Sequence, residues 1–161
     1  DSDKQLHMVG QLLLRRLIHE HLGTPYEDIR FAYTKGNKPI LGFKVPSTCR
    51  FKNYNFNYSH EGDYVVAGSE PCSIVGVDVA KVQIRGVDKG IEEYFDTMHK
   101  CFLPNEWVSI YSGRDAHERL FRFYVLWALK ESYVKVKINM NCIYVLKFYI
   151  SNRVKRIFDK I

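Results

Sequence analysis

One stretch decides how the chain folds, and it reads Trp127-Ala128-Leu129-Lys130-Glu131-Ser132-Tyr133-Val134-Lys135. Trp127, Glu131 and Lys135 are spaced four residues apart, so they share one face of a helix. The apolar residues on that face indicate that it points inward, where an unpaired carboxylate is costly. Either an ion pair between Glu131 and Lys135 or a bound cation explains the glutamate, and the spacing alone favours the ion pair.

Outward from that stretch, the pattern predicts an α+β chain in which helices flank short strands. The stretch belongs to a helix from about Ala116 to Lys135, whose inward stripe is Leu120, Phe123, Tyr124, Trp127, Ala128, Glu131 and Val134. Apolar spacing and Gly or Pro breaks predict further helices at 4–22 and 91–98, and a short one starting near Leu103-Pro104. Strands are predicted at 29–34, 53–58, 64–69 and 74–79, the last three as an antiparallel meander.

Asp78 supplies a second carboxylate from a different element. It stands near the end of the apolar strand 74–79, and Gly76 leaves space on the same face. Taken singly, an aspartate at a strand end is more typical of a turn or cap. Two inward carboxylates from different elements would make a hard oxygen site suited to Mg²⁺.

Polar residues mark two turns of the predicted sheets. The strand 53–58 alternates aromatic residues with asparagines, which predicts that it is half-buried, and the turn 59–63 follows it. That order places Ser59 and His60 at one end of the sheet. Lys38 lies in the turn 35–39, which glycine, asparagine and proline indicate. Taken alone, His60 and Lys38 are each more typical of a solvated turn.

The net charge of +6 is concentrated at the C-terminus. Residues 137–161 hold six basic residues and one acidic residue, which leaves residues 1–136 nearly neutral. This distribution disfavours a nucleic-acid surface and favours a local anionic ligand. No apolar run reaches the roughly 18 residues of a membrane span and no signal-peptide pattern is seen, so we expect a cytoplasmic protein. The four cysteines have no zinc or dithiol spacing and are expected to be reduced.

Four motifs together resemble the Sfp-type 4'-phosphopantetheinyl transferases, particularly their eukaryotic branch, which is named for aminoadipate-semialdehyde dehydrogenase. Each motif alone is common, and their order and spacing carry the resemblance. They are the Gly36-Asn37-Lys38-Pro39 turn, the segment Phe56-Asn57-Tyr58-Ser59-His60-Glu61-Gly62-Asp63-Tyr64, the strand Val75-Gly76-Val77-Asp78 and the helical stretch from Trp127 to Lys135.

The resemblance implies a site for magnesium and coenzyme A. The metal ligands of such enzymes map to Asp78 and Glu131. Their contacts to coenzyme A map to Lys38, Asn57, Ser59, His60 and Lys135.

The implied activity is that of a holo-[acyl-carrier-protein] synthase. A serine hydroxyl of the partner, an apo acyl carrier protein or carrier domain, attacks the β-phosphorus of coenzyme A and releases 3',5'-adenosine bisphosphate. In the catalytic roles that the resemblance implies, Glu131 or a bound water takes the serine proton and Lys135 stabilises the leaving oxyanion.

The resemblance also implies a fold that this sequence fills only in part. Full members are pseudo-dimers of two similar α/β lobes with antiparallel sheets. Residues 1–80 should form the first lobe with the coenzyme A turns, and residues 81–136 the start of the second lobe with the metal-binding helix. Residues 137–161 form an atypical basic tail that lacks the family's Ile-Gly-x-Gly turn. We therefore expect an incomplete C-terminal lobe, from truncation or a misread gene model.

Two positions depart from the family's pattern. Tyr33 replaces an arginine that grips coenzyme A in close relatives, and Ala80 replaces a third metal-binding glutamate of many members. Two other functions therefore stay open: a catalytically impaired lobe that binds coenzyme A or a carrier protein, and a small basic nucleic-acid binder. The nearly neutral body of the chain disfavours the second.

Overall fold

The computed structural model describes residues 2–46, 49–85 and 90–137. These residues form two compact units, one made by the residues up to Val79 together with those from Lys130 onward, and the other by Ala80–Leu129. The basic tail lies outside the described residues from position 138 on. Within the described ranges, no helix is both long and apolar enough to cross a membrane.

The first unit packs one long helix against small antiparallel sheets. Helix α1 spans Ser2–Leu22 and ends at Gly23, whose φ of 67° is left-handed and whose N–H donates to His19 O at 2.9 Å. Strand β1 (Phe31–Tyr33) pairs with β2 (Pro39–Leu41), and β3 (Asn55–Glu61) pairs with β4 (Tyr64–Glu70). Helix α1 packs on β3 and β4, and the core between them contains Leu14, Ile18, Ile29, Tyr54 and Phe56.

The second unit is helical and has an aromatic core. It contains α2 (Ile91–Thr97), α3 (Pro104–Tyr111) and the first part of α4 (Ala116–Lys137). Helix α3 begins at a proline, and the Glu106 carboxylate accepts the Leu103 N–H at 2.7 Å, which caps this end. The buried aromatic side chains of the core include Phe95, Phe102, Trp107 and Phe123.

The predicted α+β class is confirmed, and every helix predicted from apolar spacing is present within a few residues of its expected bounds. The strands at 53–58 and 64–69 are confirmed as an antiparallel hairpin. Two predictions about the sheet are wrong, and both concern the residues around the site.

The first error concerns residues 74–79, which were predicted as a third strand of a meander. The segment is not a β-strand, and among the described residues β3 pairs with β4 alone. Side chains of β3, rather than its backbone, accept hydrogen bonds from this segment. Asn55 Oδ1 accepts the Val75 N–H at 3.3 Å, and Asn57 Oδ1 accepts the Val77 N–H at 2.9 Å. The apolar run is therefore tethered beside β3 through asparagine amides.

The second error concerns the turn predicted at 59–63. Ser59 and His60 are strand residues, paired with Val66 and Val65. The β3–β4 hairpin extends further because Gly62, with a φ of 60°, permits a two-residue loop. The two polar side chains therefore lie on a regular strand, which holds them more rigidly than a loop would.

Candidate functional site

A cavity of about 330 Å³ lies wholly within the first unit. Helix α1, the β1–β2 hairpin with its turn, strand β3 and the end of α4 contribute to it. In the part of the chain that the structure describes, no aspartate or glutamate lines this cavity. Its polar and charged lining includes His7, Gln11, Asn37, Lys38, Asn57, Ser59, His60 and Lys135.

The β1–β2 turn positions Lys38. Asn37 adopts a left-handed φ of 60°, a conformation that asparagine tolerates better than most residues. The Thr34 N–H donates to Lys38 O at 3.0 Å, and the Lys38 N–H donates to Thr34 Oγ1 at 3.1 Å. The turn is thus closed twice and directs the lysine inward.

Lys38 is a buried cation with neutral partners. The residue is only 7% exposed, and its Nζ donates to Val75 O at 3.1 Å and Asn55 Oδ1 at 3.4 Å. Burial lowers the pKa of the Lys38 ammonium from its usual value, because both partners are uncharged and water is largely excluded. An anion entering the cavity would supply the missing negative charge.

Lys135 forms a second cationic centre, at the end of α4. Its Nζ lies 2.6 Å from Asp78 Oδ1, 2.9 Å from Ser59 Oγ and 3.1 Å from Val77 O. The Ser59 hydroxyl also donates to Asp78 Oδ1 at 2.9 Å. Lys135 and Ser59 line the cavity. Asp78 does not line it but is hydrogen-bonded to both of these residues.

Glu131 lies one helical turn before Lys135 on the same face of α4 and is half-buried. The ion pair with Lys135 that the spacing favoured is not formed, because the Lys135 ammonium turns to Asp78 instead. Glu131 is also not among the residues that line the cavity. In residues 2–46, 49–85 and 90–137, no group of three or more His, Cys, Asp or Glu is arranged to hold a metal ion.

Aromatic and imidazole side chains line the side of the cavity that α1 provides. His7 Nδ1 is 2.6 Å from the Tyr58 hydroxyl, and Gln11 Nε2 is 2.9 Å from His7 Nε2 and 3.4 Å from the Tyr33 hydroxyl. Sequence reasoning missed His7 and Gln11. Their four-residue spacing in α1, on a face next to the buried Leu14, is the signal that could have found them.

The predicted coenzyme contacts therefore meet in one place, since Lys38, Asn57, Ser59, His60 and Lys135 all line this cavity. Of the two predicted metal ligands, Asp78 is hydrogen-bonded to Ser59 and Lys135 of this lining. Glu131 is not among the residues that line the cavity. The arrangement can bind an anion, because two lysines, two imidazoles and a hydroxyl line the cavity and none of its described lining residues is an aspartate or glutamate. Two carboxylates lie next to this lining: Asp78 pairs with Lys135 at 2.6 Å, and Asp3 Oδ1 is 3.6 Å from His60 Nδ1.

Comparison with known proteins gives matches along most of the chain. Residues 1–72 match the family model described as 4'-phosphopantetheinyl transferase, N-terminal, and residues 74–147 match the 4'-phosphopantetheinyl transferase superfamily. The human L-aminoadipate-semialdehyde dehydrogenase-phosphopantetheinyl transferase is 40% identical over 133 residues, which are 83% of this chain and 42% of the human protein.

Two further relatives show the same partial coverage. The Xenopus laevis protein of the same name is 41% identical over 83% of this chain and 43% of its own length. A 4'-phosphopantetheinyl transferase of Bacillus pumilus is 31% identical over 83% of this chain and 50% of its own length. The chain thus spans half or less of the length of these relatives.

Proposed function

The chain belongs to the 4'-phosphopantetheinyl transferases, and from that premise we propose that it transfers 4'-phosphopantetheine from coenzyme A to a serine of an acyl carrier protein or carrier domain. Its proposed location is the cytoplasm, since Cys49 and Cys72 are free thiols, as is usual in a reducing compartment. The family shows the class of chemistry, and this chain's own residues support the detail that follows.

The observation that supports the proposal is the buried residue Lys38, which lines a cavity whose described lining residues include no aspartate or glutamate. A buried cation with neutral partners costs free energy in the unliganded protein. The pyrophosphate of coenzyme A would offset that cost, because its oxygens can accept from Lys38 and from Lys135, which also lines the cavity.

Asp78 and Glu131 are the residues that would hold Mg²⁺. Within the described residues, the hydrogen bonds to Asp78 from Ser59 and Lys135 both go to Oδ1, so Oδ2 stays available to a cation. Carboxylate oxygens completed by water and phosphate are the donor set that Mg²⁺ prefers, so these residues fit the ion. When bound, Mg²⁺ supplies positive charge that polarises the pyrophosphate.

The reaction would then proceed by positioning and proton transfer. The carrier serine oxygen forms a bond to the β-phosphorus, and the bond from that phosphorus to the bridging oxygen breaks, releasing 3',5'-adenosine bisphosphate. Glu131 would accept the serine proton, and Lys135 would donate to the oxygen that leaves with its electron pair. Ser59 holds the Lys135 ammonium in place at 2.9 Å.

A carrier-modification assay tests this function. The 161-residue chain is incubated with Mg²⁺, coenzyme A and an apo carrier, and the phosphopantetheine adduct on the carrier is detected by mass. We expect the wild-type chain to modify the carrier and Glu131→Gln to slow the reaction about a hundredfold or more, since the amide cannot take the proton.

Glu27→Gln is the matched control, because Glu27 is exposed in the first unit and lies outside the cavity lining. It should modify the carrier at the wild-type rate. An active wild type whose Glu131→Gln variant is equally active would contradict the assignment of Glu131. A wild-type chain that binds coenzyme A without modifying any carrier would instead be a binding module.

A further inference from the structure

We propose that Asn55 is a positioning residue of the anion site: its neutral amide oxygen holds Lys38 in place while leaving the full ammonium charge to the ligand. This inference rests on the proposed function for the identity of the ligand, but it rests on contacts of this chain for the role. Asn55 is not among the cavity-lining residues, so it acts through Lys38.

The geometry ties Asn55 to the lysine and to the tethered segment at once. Asn55 Oδ1 lies 3.4 Å from Lys38 Nζ and 3.3 Å from Val75 N, and Lys38 Nζ also lies 3.1 Å from Val75 O. Both neighbours of the amide oxygen are donors, which fixes the orientation of the amide group. Each of these three residues is therefore hydrogen-bonded to the other two.

The choice of an amide rather than a carboxylate sets the charge of the site. Aspartate has nearly the shape of asparagine and could accept from the same two donors, but it would pair with the buried ammonium and neutralise it. Asparagine gives the same geometry with no charge. The lysine then keeps its positive charge for a ligand in the cavity, whose described lining residues include no aspartate or glutamate.

Asn57, two residues further along β3, differs from Asn55 because it lines the cavity. Asn57 accepts the Val77 N–H and also lines the cavity, so it can contact the ligand directly. Asn55 accepts from the segment and from Lys38 without reaching the lining. The two asparagines thus share a tethering role, and only Asn55 governs the charge of the lysine.

The test compares Asn55→Asp with Asn53→Asp in the full chain. Asn53 is exposed, lies just before β3 and offers the same change of charge away from the cavity lining. We expect Asn55→Asp to weaken coenzyme A binding about tenfold or more and to raise KM for coenzyme A more than it lowers kcat. The unfolding temperature of the unliganded variant should equal or exceed that of wild type, since the buried lysine gains a counterion. Asn53→Asp should match wild type in both measurements.

Opposite effects on affinity and stability separate this role from a purely structural one. Asn55→Asp binding coenzyme A as well as Asn53→Asp does would overturn the inference. Loss of affinity together with a fall in unfolding temperature would overturn it too, because it would mean that Asn55 only maintains the fold.

Inorganic pyrophosphate is the second probe and separates this inference from the proposed function. One outcome would support the positioning role and contradict the transferase proposal. In that outcome wild type binds pyrophosphate, Asn55→Asp does not bind it, and wild type modifies no carrier. A wild-type chain that binds neither pyrophosphate nor coenzyme A overturns both.

Discussion

At the residue scale, the burial of Lys38 should cost folding free energy and should favour the binding of an anion. Its side chain is buried, its partners in the described residues are a backbone carbonyl and an amide oxygen, and its pKa is lowered by that burial. Removing the charge should therefore not harm the fold. It should harm the affinity for an anion.

We predict that Lys38→Met leaves the unliganded protein at least as stable as wild type and weakens coenzyme A binding about tenfold or more. Methionine retains most of the apolar stem without the desolvated charge. Thermal unfolding and calorimetric titration measure the two effects. A variant that loses several degrees of unfolding temperature would show that the ammonium contributes net stability, against this account.

The same prediction has a pH dependence whose sign can be worked out. Burial lowers the folded pKa of Lys38 below its usual value of 10.5, so at pH between the folded and unfolded pKa values the unfolded chain binds the proton more tightly. The contribution of Lys38 to stability therefore rises as pH increases through that window. The stability advantage of Lys38→Met over wild type should shrink as pH approaches 10.5, measured as the difference in unfolding free energy.

Sequence reasoning at the residue scale predicted five residues that line the cavity and did not predict Asn55, which holds Lys38. Lys38, Asn57, Ser59, His60 and Lys135 were predicted from motifs, and they line one cavity. Asn55 received no role, because alternation along β3 reveals only that its face differs from that of the aromatic residues. That the asparagine face meets the backbone of residues 74–79 is a tertiary fact, which no local pattern encodes.

At the scale of elements, the site depends on the close packing of residues 74–79 against α4. A Cβ built at Gly76 would lie 2.0 Å from Ser132 O and 2.9 Å from Val136 Cγ2. Only glycine allows the helix backbone to come this near. The closeness brings Lys135, on the last turns of α4, within 2.6 Å of Asp78.

We predict that Gly76→Ala destabilises the protein by about 3 kcal/mol and reduces carrier modification, because the added methyl group must push residues 74–79 away from the α4 backbone. Denaturant unfolding and the carrier assay measure the two effects. Gly90→Ala is the control, since a Cβ there meets nothing within 4 Å. Gly90 is the N-cap of α2, where alanine is poorer than glycine, so this variant should lose about 1 kcal/mol or less. Equal unfolding free energies for the two variants would refute the packing argument.

Helices were predictable at this scale, whereas the last segment of the sheet was not. Apolar spacing and a glycine or proline at the ends are local signals, and α1, α2 and α4 follow them. Residues 74–79 have the composition of a buried strand, yet their amides are bound by asparagine side chains and their carbonyls by two lysines. Residues 74–79 are only half-buried, and their composition cannot tell the backbone hydrogen bonds of a strand from bonds to side chains.

At the scale of the whole molecule, the described residues divide into two units, and the cavity belongs entirely to one of them. Ligand binding should therefore stabilise the first unit selectively. A ligand that binds only the folded state at a hundred times its dissociation constant contributes about 2.7 kcal/mol, which slows amide exchange through unfolding of that unit about a hundredfold.

We predict that saturating coenzyme A protects the amides of β3, residues 74–79 and the last turns of α4 by up to this factor, and leaves α2 and α3 unchanged. Hydrogen exchange read by mass spectrometry measures both groups of peptides in one experiment. Lys38→Met at the same ligand concentration should lose most of the protection, because the anion loses its buried cation. Equal protection of residues 91–111 would mean that coenzyme A also engages the second unit, since every residue that lines the cavity lies between His7 and His60 or at Lys135.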